Sequence, residues 1–179
     1  MDNLGEEEEI GFLDESGFVH NSVPAYVLGK PGEPKYIASN SGREKLNVVG
    51  WVTPDHLDVQ VYYTEGTIDS LLMKEVLTRL DRQLTGNKLH LFLDEAPFHQ
   101  PLKSVSFEKI ELHFLPTYSP NLNLMERIWD FAKDTLLADK YYEFFKTFKE
   151  AFCEFFRTII ERYAEELQSR ITPKFHIVK

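Results

Sequence analysis

Alternation and clustering of hydrophobic residues along the chain predict five β-strands and four helices. The strand candidates are short runs of leucine, β-branched and aromatic residues, bounded by polar turn residues. They are Ile10–Leu13, Leu46–Val52, Leu57–Tyr63, Leu89–Leu93 and Glu111–Leu115. The Gly, Pro and Ser residues between positions 21 and 45 predict a loop or an irregular hairpin.

The helices are predicted from apolar residues that recur every three or four positions. Thr67 can serve as the N-cap of the first helix. Ser119 followed by Pro120 is typical of an N-cap and the first residue of a helix. The predicted helices are 68–83, a short one within 97–110, 120–136 and a long aromatic one at 141–168.

This order of elements predicts an α/β fold, because three strands are followed by alternating helices and strands. We expect a mixed sheet flanked by helices, with a long aromatic-rich helix at the C-terminal end. The 179 residues suit a single domain. We expect residues 1–9, with their run of glutamates, to be a solvated acidic leader. Residues 10–137 would then form the core and residues 141–168 the final helix.

Cysteine, histidine and apolar content exclude several classes of protein. One cysteine, Cys153, excludes an internal disulfide and a zinc site built from cysteines. His90, His99 and His113 are scattered along the chain, without the spacing of a metal site on one helix. The N-terminus is unlike a secretory signal, and no apolar run approaches the roughly 18 residues of a membrane span. We therefore expect a soluble cytoplasmic protein that does not contact membranes.

The formal net charge of −9 at first argues against a nucleic-acid ligand, because phosphate binding usually requires a basic surface. The acids are unevenly placed, however. Residues 1–20 hold seven acids and no Lys or Arg, whereas the remaining residues hold 22 acids and 20 bases. Most of the chain is therefore close to neutral, which leaves room for a local basic groove.

Two aspartates follow directly on predicted strands. Asp14 ends the first strand candidate, and Asp94 ends the fourth. If these strands are neighbours, both carboxylates lie at the edge of the sheet where open α/β folds bind ligands. An aspartate at a strand end is more often only the start of a turn, so neither residue is diagnostic alone.

Glu126 lies beside the apolar stripe of its predicted helix, between Leu122 and Trp129. A carboxylate that faces the sheet is costly to desolvate unless a cation or a donor meets it. The desolvation cost would be offset by an Arg or Lys partner, or avoided at an exposed edge of the stripe. A metal ion shared with Asp14 and Asp94 would offset it as well. Oxygen ligands favour Mg²⁺ or Mn²⁺, and two such ions, roughly 3.5–4 Å apart, can clamp an in-line phosphoryl displacement.

Three segments of the chain resemble the DDE-type transposases of bacterial insertion sequences, in the mariner-like superfamily. FLDESGF (Phe12–Phe18) is similar to the first-aspartate strand of that family. LFLDEAPFH (Leu91–His99) is similar to the second, and LHFLPTYSPNLNLMERIWDFAK (Leu112–Lys133) to the third, which is long and specific. The resemblance implies a ribonuclease H-like core, DNA cutting and strand transfer, two divalent ions, and a bacterial cytoplasmic protein of mobile DNA.

By this resemblance Asp14, Asp94 and Glu126 are the catalytic triad and hold the Mg²⁺ or Mn²⁺ ions. The other positions that match the family motifs, or that replace a common family residue beside the triad, are expected to support it. They are Glu95, His99, Tyr118, Ser119, Pro120 and Asn123. His99 matches a family histidine that either touches the scissile phosphate or packs. Glu95 stands where the family commonly has Asn, and it adds negative charge beside the site.

The resemblance implies DNA partners, namely transposon ends and a target. The N-terminal helix-turn-helix modules of the family are not seen in this sequence. We therefore expect a catalytic fragment, one frame of a split gene or a remnant, with a separate DNA-binding polypeptide as a candidate partner. A ribonuclease H-like nuclease or resolvase is one alternative, and a non-catalytic transposase remnant that serves as a dimerisation module is another.

Apolar residues spill beyond one face of the final predicted helix. Phe145, Phe148 and Phe152 fit one helical face, whereas Phe144 and Phe156 lie beside it. Such a stretch is more often core than interface. The additional phenylalanines nevertheless indicate a second burial surface, and we expect a homodimer.

Overall fold

The computed structural model describes residues 8–21, 38–40, 42–86, 88–116 and 122–171. Within them the chain forms five strands, a 3₁₀ helix and three α-helices. The strands are β1 (Glu8–Val19), β2 (Lys45–Thr53), β3 (Asp58–Thr64), β4 (Lys88–Leu93) and β5 (Ile110–Phe114). The helices are α1 (Ser70–Gln83), the 3₁₀ helix (Pro97–Ser104), α2 (Leu124–Leu137) and α3 (Phe145–Ile171).

The five strands form one mixed sheet in the order β3-β2-β1-β4-β5. β1, β2 and β3 are antiparallel neighbours, whereas β4 lies parallel to β1 and β5 parallel to β4. Parallel neighbours require a crossover connection, which α1 and the 3₁₀ helix supply on the way to β4 and β5. The predicted α/β architecture with a mixed sheet is confirmed.

Each face of the sheet buries its own hydrophobic core, as strand alternation requires. On β1, Phe12 and Phe18 pack with α2 and α3, whereas Leu13 packs on the opposite face with α1. Most of the aromatic residues of α3 belong to the first core, including the buried Phe148 and Phe152. The final helix is therefore part of the domain core. No helix among the described residues is long and apolar enough to cross a membrane.

The first strand is longer than predicted. β1 runs from Glu8 to Val19, so it begins inside the segment expected to be a solvated leader and continues past Asp14. Pairing with β2 extends from Phe12 to Val19, and these backbone hydrogen bonds hold the polar residues after Asp14 in the strand. Asp14 therefore lies within its strand, and the prediction that it ends the strand is wrong.

Two helix starts also differ from the prediction. The N-cap of α1 is Asp69 rather than Thr67, because its Oδ1 accepts the N–H groups of Leu71 and Leu72 at 3.1 and 2.9 Å. α2 begins at Leu124, and its N-cap is Asn123. The predicted cap at Ser119 and Pro120 lies outside the described residues.

Candidate active site

The two aspartates lie side by side at the point where β4 ends. The parallel pairing of β1 and β4 continues as far as Phe12 opposite Phe92, whose rings stack at 5.7 Å. Asp14 and Asp94 each come two residues later, Asp14 within β1 and Asp94 directly after β4. Asp14 is partly buried and Asp94 has a side chain that is 57% exposed, so this edge of the site opens to solvent.

Asn123 attaches the start of α2 to β1 next to Asp14. Its Oδ1 accepts the N–H of Met125 at 3.0 Å, and its Nδ2 donates to the carbonyl oxygen of Leu13 at 2.8 Å. Asn123 is buried, so both contacts are shielded from water. Glu126 is the third residue of the helix that this side chain caps. The supporting position expected for Asn123 therefore has a direct geometric basis.

Gly50 lets α2 approach the sheet closely beside the aspartates. Gly50 is the β2 partner of Asp14, and a methyl group added there would lie 2.5 Å from Met125 Cε and 2.6 Å from Trp129 Cη2. Both neighbours are buried in the core, so they have little room to move. The missing side chain of Gly50 thus sets the distance between the helix that carries Glu126 and the strand that carries Asp14.

Replacing Gly50 with alanine should therefore destabilise the protein by about 1–3 kcal/mol, since the added methyl group overpacks the core. Urea unfolding measures this change. Gly17→Ala is the matched control, because its new methyl group would meet only Asn47 Oδ1 at 3.8 Å. Equal stabilities for the two variants would show that α2 does not press on Gly50.

The carboxylates are close enough to repel one another. The pKa of Asp14 is raised from 3.8 to about 8, first by burial and then by the negative charges of Glu15, Glu126 and Asp94. Burial also raises the pKa of Glu126, with further contributions from Asp130 and Asp94, whereas Lys133 opposes the shift. The structure therefore brings the three predicted residues Asp14, Asp94 and Glu126 into one electrostatic cluster.

This cluster has the chemistry of a site for a hard divalent cation. Apart from one backbone hydrogen bond at Glu15, all the groups that shift the pKa of Asp14 raise it. A divalent cation removes the repulsion among such carboxylates, and oxygen ligands suit Mg²⁺ or Mn²⁺. The donor set of Asp14, Asp94 and Glu126 thus fits the expected metal ions.

His99 is fully buried and connects the two strands beneath the aspartates. Its Nδ1 donates to the carbonyl oxygen of Asp94 at 3.0 Å and lies 2.9 Å from Asp94 Oδ1. Its Nε2 lies 2.9 Å from Oε1 of Glu15, on the face of β1 opposite to Asp14. Of the two roles open for His99, the geometry favours packing over contact with phosphate, because both ring nitrogens are already engaged.

The charge of His99 is set by two opposing influences. Burial lowers the pKa of the imidazole, but the Glu15 carboxylate and the Asp94 carbonyl and carboxylate outweigh it, and the net shift is upward. Both ring nitrogens face hydrogen-bond acceptors, and only the protonated imidazole has an N–H group on each nitrogen. We therefore interpret His99 as an imidazolium that links β1 to the segment after β4.

Glu95 and Glu15 show what the sequence motifs did not reveal. Glu95 pairs with Nζ of Lys103 at 2.6 Å, so its extra negative charge has a cation beside it. Glu15 was not among the predicted residues, although alternation along β1 places it on the face opposite to Asp14. That alternation was the only feature of the sequence that could have pointed to Glu15. Tyr118, Ser119 and Pro120 lie outside the described residues.

Comparison with known proteins indicates the family and the fold of this chain. A family model described as DDE superfamily endonuclease matches residues 9–149. The uncharacterized protein y4pE/y4sA of Sinorhizobium fredii (strain NBRC 101917 / NGR234) is 34% identical over 76 residues, which are 42% of this chain and 56% of that protein.

Among solved structures, the Mos1 mariner paired end complex with Mn has a TM-score of 0.65 and 17% identity, over 91% of this chain and 53% of that one. The Mos1 strand transfer complex has a TM-score of 0.60 and 18% identity, over 92% and 53%. The chain thus spans about half the length of these proteins.

The strand order, the flanking helices and this similarity define a ribonuclease H-like domain, which confirms the expected fold. Because the family model covers most of the sequence, the chain belongs to the DDE endonuclease superfamily.

Proposed function

We propose that this chain is the catalytic domain of a transposase, a metal-dependent DNA endonuclease and strand transferase. The observation that carries the proposal is the cluster of Asp14, Asp94 and Glu126 at the carboxyl end of β4, in a domain of the DDE endonuclease superfamily. The Mos1 mariner paired end complexes are complexes with Mn or Mg, and their similarity to this chain supports the same class of cofactor. Transposon ends and target DNA are the proposed partners.

In this proposal each acid has a defined position. Asp14 is the most deeply buried of the three and must lose its proton before it can bind a cation. Asp94 approaches from the neighbouring strand, and Glu126 reaches the site from the first turn of α2. When bound, two divalent ions between such carboxylates activate the attacking oxygen and stabilise the departing oxygen of a phosphodiester.

Three further contacts hold this arrangement in place. His99 donates to the main-chain oxygen of Asp94, and the N–H of Ala96 donates to Asp94 Oδ1 at 3.0 Å. Asn123 keeps α2 against β1. Because each contact is made by a buried or main-chain group, the carboxylates are preorganised for their ligands.

We also propose that the chain acts as a homodimer and with further protein segments or a separate polypeptide that recognise DNA. The chain spans about half the length of its structural relatives, whose titles describe paired end and strand transfer complexes. On this chain Tyr141 and Phe144 are 49% and 62% exposed, in the segment just before α3. These exposed rings are the residues we propose for the contact between subunits.

Manganese binding tests the metal site directly. We expect calorimetry to detect Mn²⁺ binding to the wild-type chain, and Asp94→Ala to weaken it more than about 100-fold. Removing a direct ligand should exceed the roughly 10–100-fold cost of losing an outer partner. Asp58→Asn is the matched control, because Asp58 is an exposed acid on β3.

Nicking and strand-joining assays with Mg²⁺ or Mn²⁺ then define the reaction. Cutting and joining of linear DNA support a transposase, whereas cutting restricted to branched or hybrid substrates would indicate a nuclease or resolvase. Failure of the wild-type chain to bind Mn²⁺ would refute the catalytic proposal and favour a non-catalytic remnant.

A further inference from the structure

A second cluster of metal-binding side chains lies on β4 and the edge strand β5. His90 Nδ1 and His113 Nε2 are 2.9 Å apart. Glu111 places Oε2 at 4.0 Å from His90 Nδ1 and Oε1 at 3.7 Å from His113 Nε2. This group was not predicted from the sequence, because the histidines are 23 positions apart and on different strands.

We propose that His90, His113 and Glu111 form a binding site for a transition-metal ion such as Zn²⁺, separate from the carboxylate cluster. Zinc bonds of roughly 2.0–2.2 Å to nitrogen and oxygen place neighbouring ligand atoms of a tetrahedral site a little over 3 Å apart. The observed separations of 2.9, 3.7 and 4.0 Å bracket that value. Small side-chain rotations are therefore enough to close the site on an ion.

The surroundings of His90 fit a metal ligand rather than an ordinary hydrogen-bonded histidine. Its second nitrogen, Nε2, is buried, has no hydrogen-bond partner among the residues that the structure describes, and lies 3.8 Å from Oε1 of Glu8. A histidine that binds metal through one ring nitrogen commonly directs the other toward a carboxylate, which fixes the ring and strengthens the ligand. Glu8 on β1 is placed for that role.

His113 is also prepared to bind a metal. Its ring stacks on Phe92 with centroids 4.9 Å apart, which fixes its orientation. Its side chain is still 33% exposed, so an ion can enter and a water molecule can complete the coordination.

Ligand type distinguishes this site from the catalytic one. Two imidazoles and one carboxylate favour Zn²⁺, Co²⁺ or Ni²⁺, whereas three carboxylates favour Mg²⁺ or Mn²⁺. Asp94 directly follows β4 and comes four residues after His90, which corresponds to about 13 Å along an extended chain. Because β5 is an edge strand, an ion held by His90 and His113 would tie that edge to β4.

A change at Lys88 should raise the zinc affinity, whereas the loss of a ligand should lower it. Its ammonium group pairs with Oε2 of Glu111, and it therefore competes with a metal ion for that carboxylate. Replacing Lys88 with Gln should raise zinc affinity, since the carboxylate is released. A purely structural hydrogen bond between the two histidines predicts no such gain.

Zinc titration against a chromophoric chelator, together with Co²⁺ absorption, tests the proposal on the full chain. We expect one Zn²⁺ to bind and to raise the melting temperature, and Co²⁺ to give the visible spectrum of a tetrahedral site. His113→Ala and His90→Ala should each weaken zinc binding by at least about tenfold, whereas His56→Ala and Asp94→Ala should leave it unchanged.

Circular dichroism identifies variants that fail to fold, and in that case the gain expected for Lys88→Gln becomes the deciding measurement. The proposal is overturned if the wild-type chain binds no zinc, or if both histidine variants bind zinc as tightly as the wild-type chain does. It is likewise overturned if Asp94→Ala removes the zinc, because the ion then belongs to the carboxylate cluster. None of these outcomes depends on whether the chain cuts DNA.

Discussion

Replacing Asp14 with asparagine should give a protein that is more stable without metal and no longer cuts DNA. Asp14 is partly buried and its pKa is raised from 3.8 to about 8, so folding at neutral pH forces a proton onto a group that is ionised when unfolded. Each pKa unit corresponds to about 1.4 kcal/mol. Asparagine is neutral in both states, and we expect a gain of roughly 2–4 kcal/mol at pH 8.

The pH dependence follows from the same shift. A group whose pKa is raised on folding contributes stability that is fully present below its unfolded pKa and is lost as pH rises through its folded pKa. The stability of the wild-type protein should therefore fall between pH 3.8 and about 8 through Asp14, and this fall should be absent from Asp14→Asn. Urea unfolding at several pH values, with a chelator present, measures the difference.

Divalent metal should reverse the order of the two proteins. At 1,000 times its dissociation constant, Mn²⁺ stabilises a protein by about 4.1 kcal/mol, which exceeds the gain expected for Asp14→Asn, and only the wild-type chain should receive it. Asp58→Asn is the control, and its stability should stay within about 0.5 kcal/mol of wild type with or without metal. A variant at Asp14 that is no more stable and still nicks DNA would contradict the assignment.

The order of the elements could be predicted from the sequence because hydrophobic residues alternate along the strands, and the alternating residues are buried on one face of the sheet. Leu89, Leu91 and Leu93 alternate on β4 and all bury on one face, so the strand was found within one residue. β1 was underestimated because the residues after Asp14 are polar. Their strand conformation depends on pairing with β2, which comes from a distant part of the chain.

Only the candidate site residues that lie within sequence motifs were predicted. Asp94 and Glu126 were predicted because their flanking residues match a family pattern. The partner of His99 was not, because Glu15 is 84 positions away and becomes a neighbour only when β1 and β4 pair. The close approach of α2 at Gly50 was also missed, because Met125 and Trp129 are distant in the sequence. A glycine within a strand indicates close packing, but it does not indicate which element packs against it.

Replacing His99 with alanine should destabilise the protein by roughly 3–5 kcal/mol, the usual cost of breaking a buried ion pair. The side chains of His99 and Glu15 are 1% and 13% exposed, so Glu15 would keep a charge that water reaches poorly. The imidazole also fixes the main chain at Asp94, and its loss should weaken Mn²⁺ binding. Urea unfolding and calorimetry measure the two effects.

A double-mutant cycle separates the ion pair from simple packing. The combined change of His99→Ala and Glu15→Ala should cost less than the sum of the two, because removing both partners leaves no unpaired buried charge. The pKa of His99 is raised on folding, so its contribution is complete below its ordinary value and is lost as pH rises through the folded value.

The loss caused by His99→Ala should therefore shrink at alkaline pH. His56→Ala is the matched control, since the side chain of His56 is 68% exposed and its removal should change stability by less than about 0.5 kcal/mol. Strict additivity in the cycle, with a loss that does not depend on pH, would mean that His99 acts only by filling space.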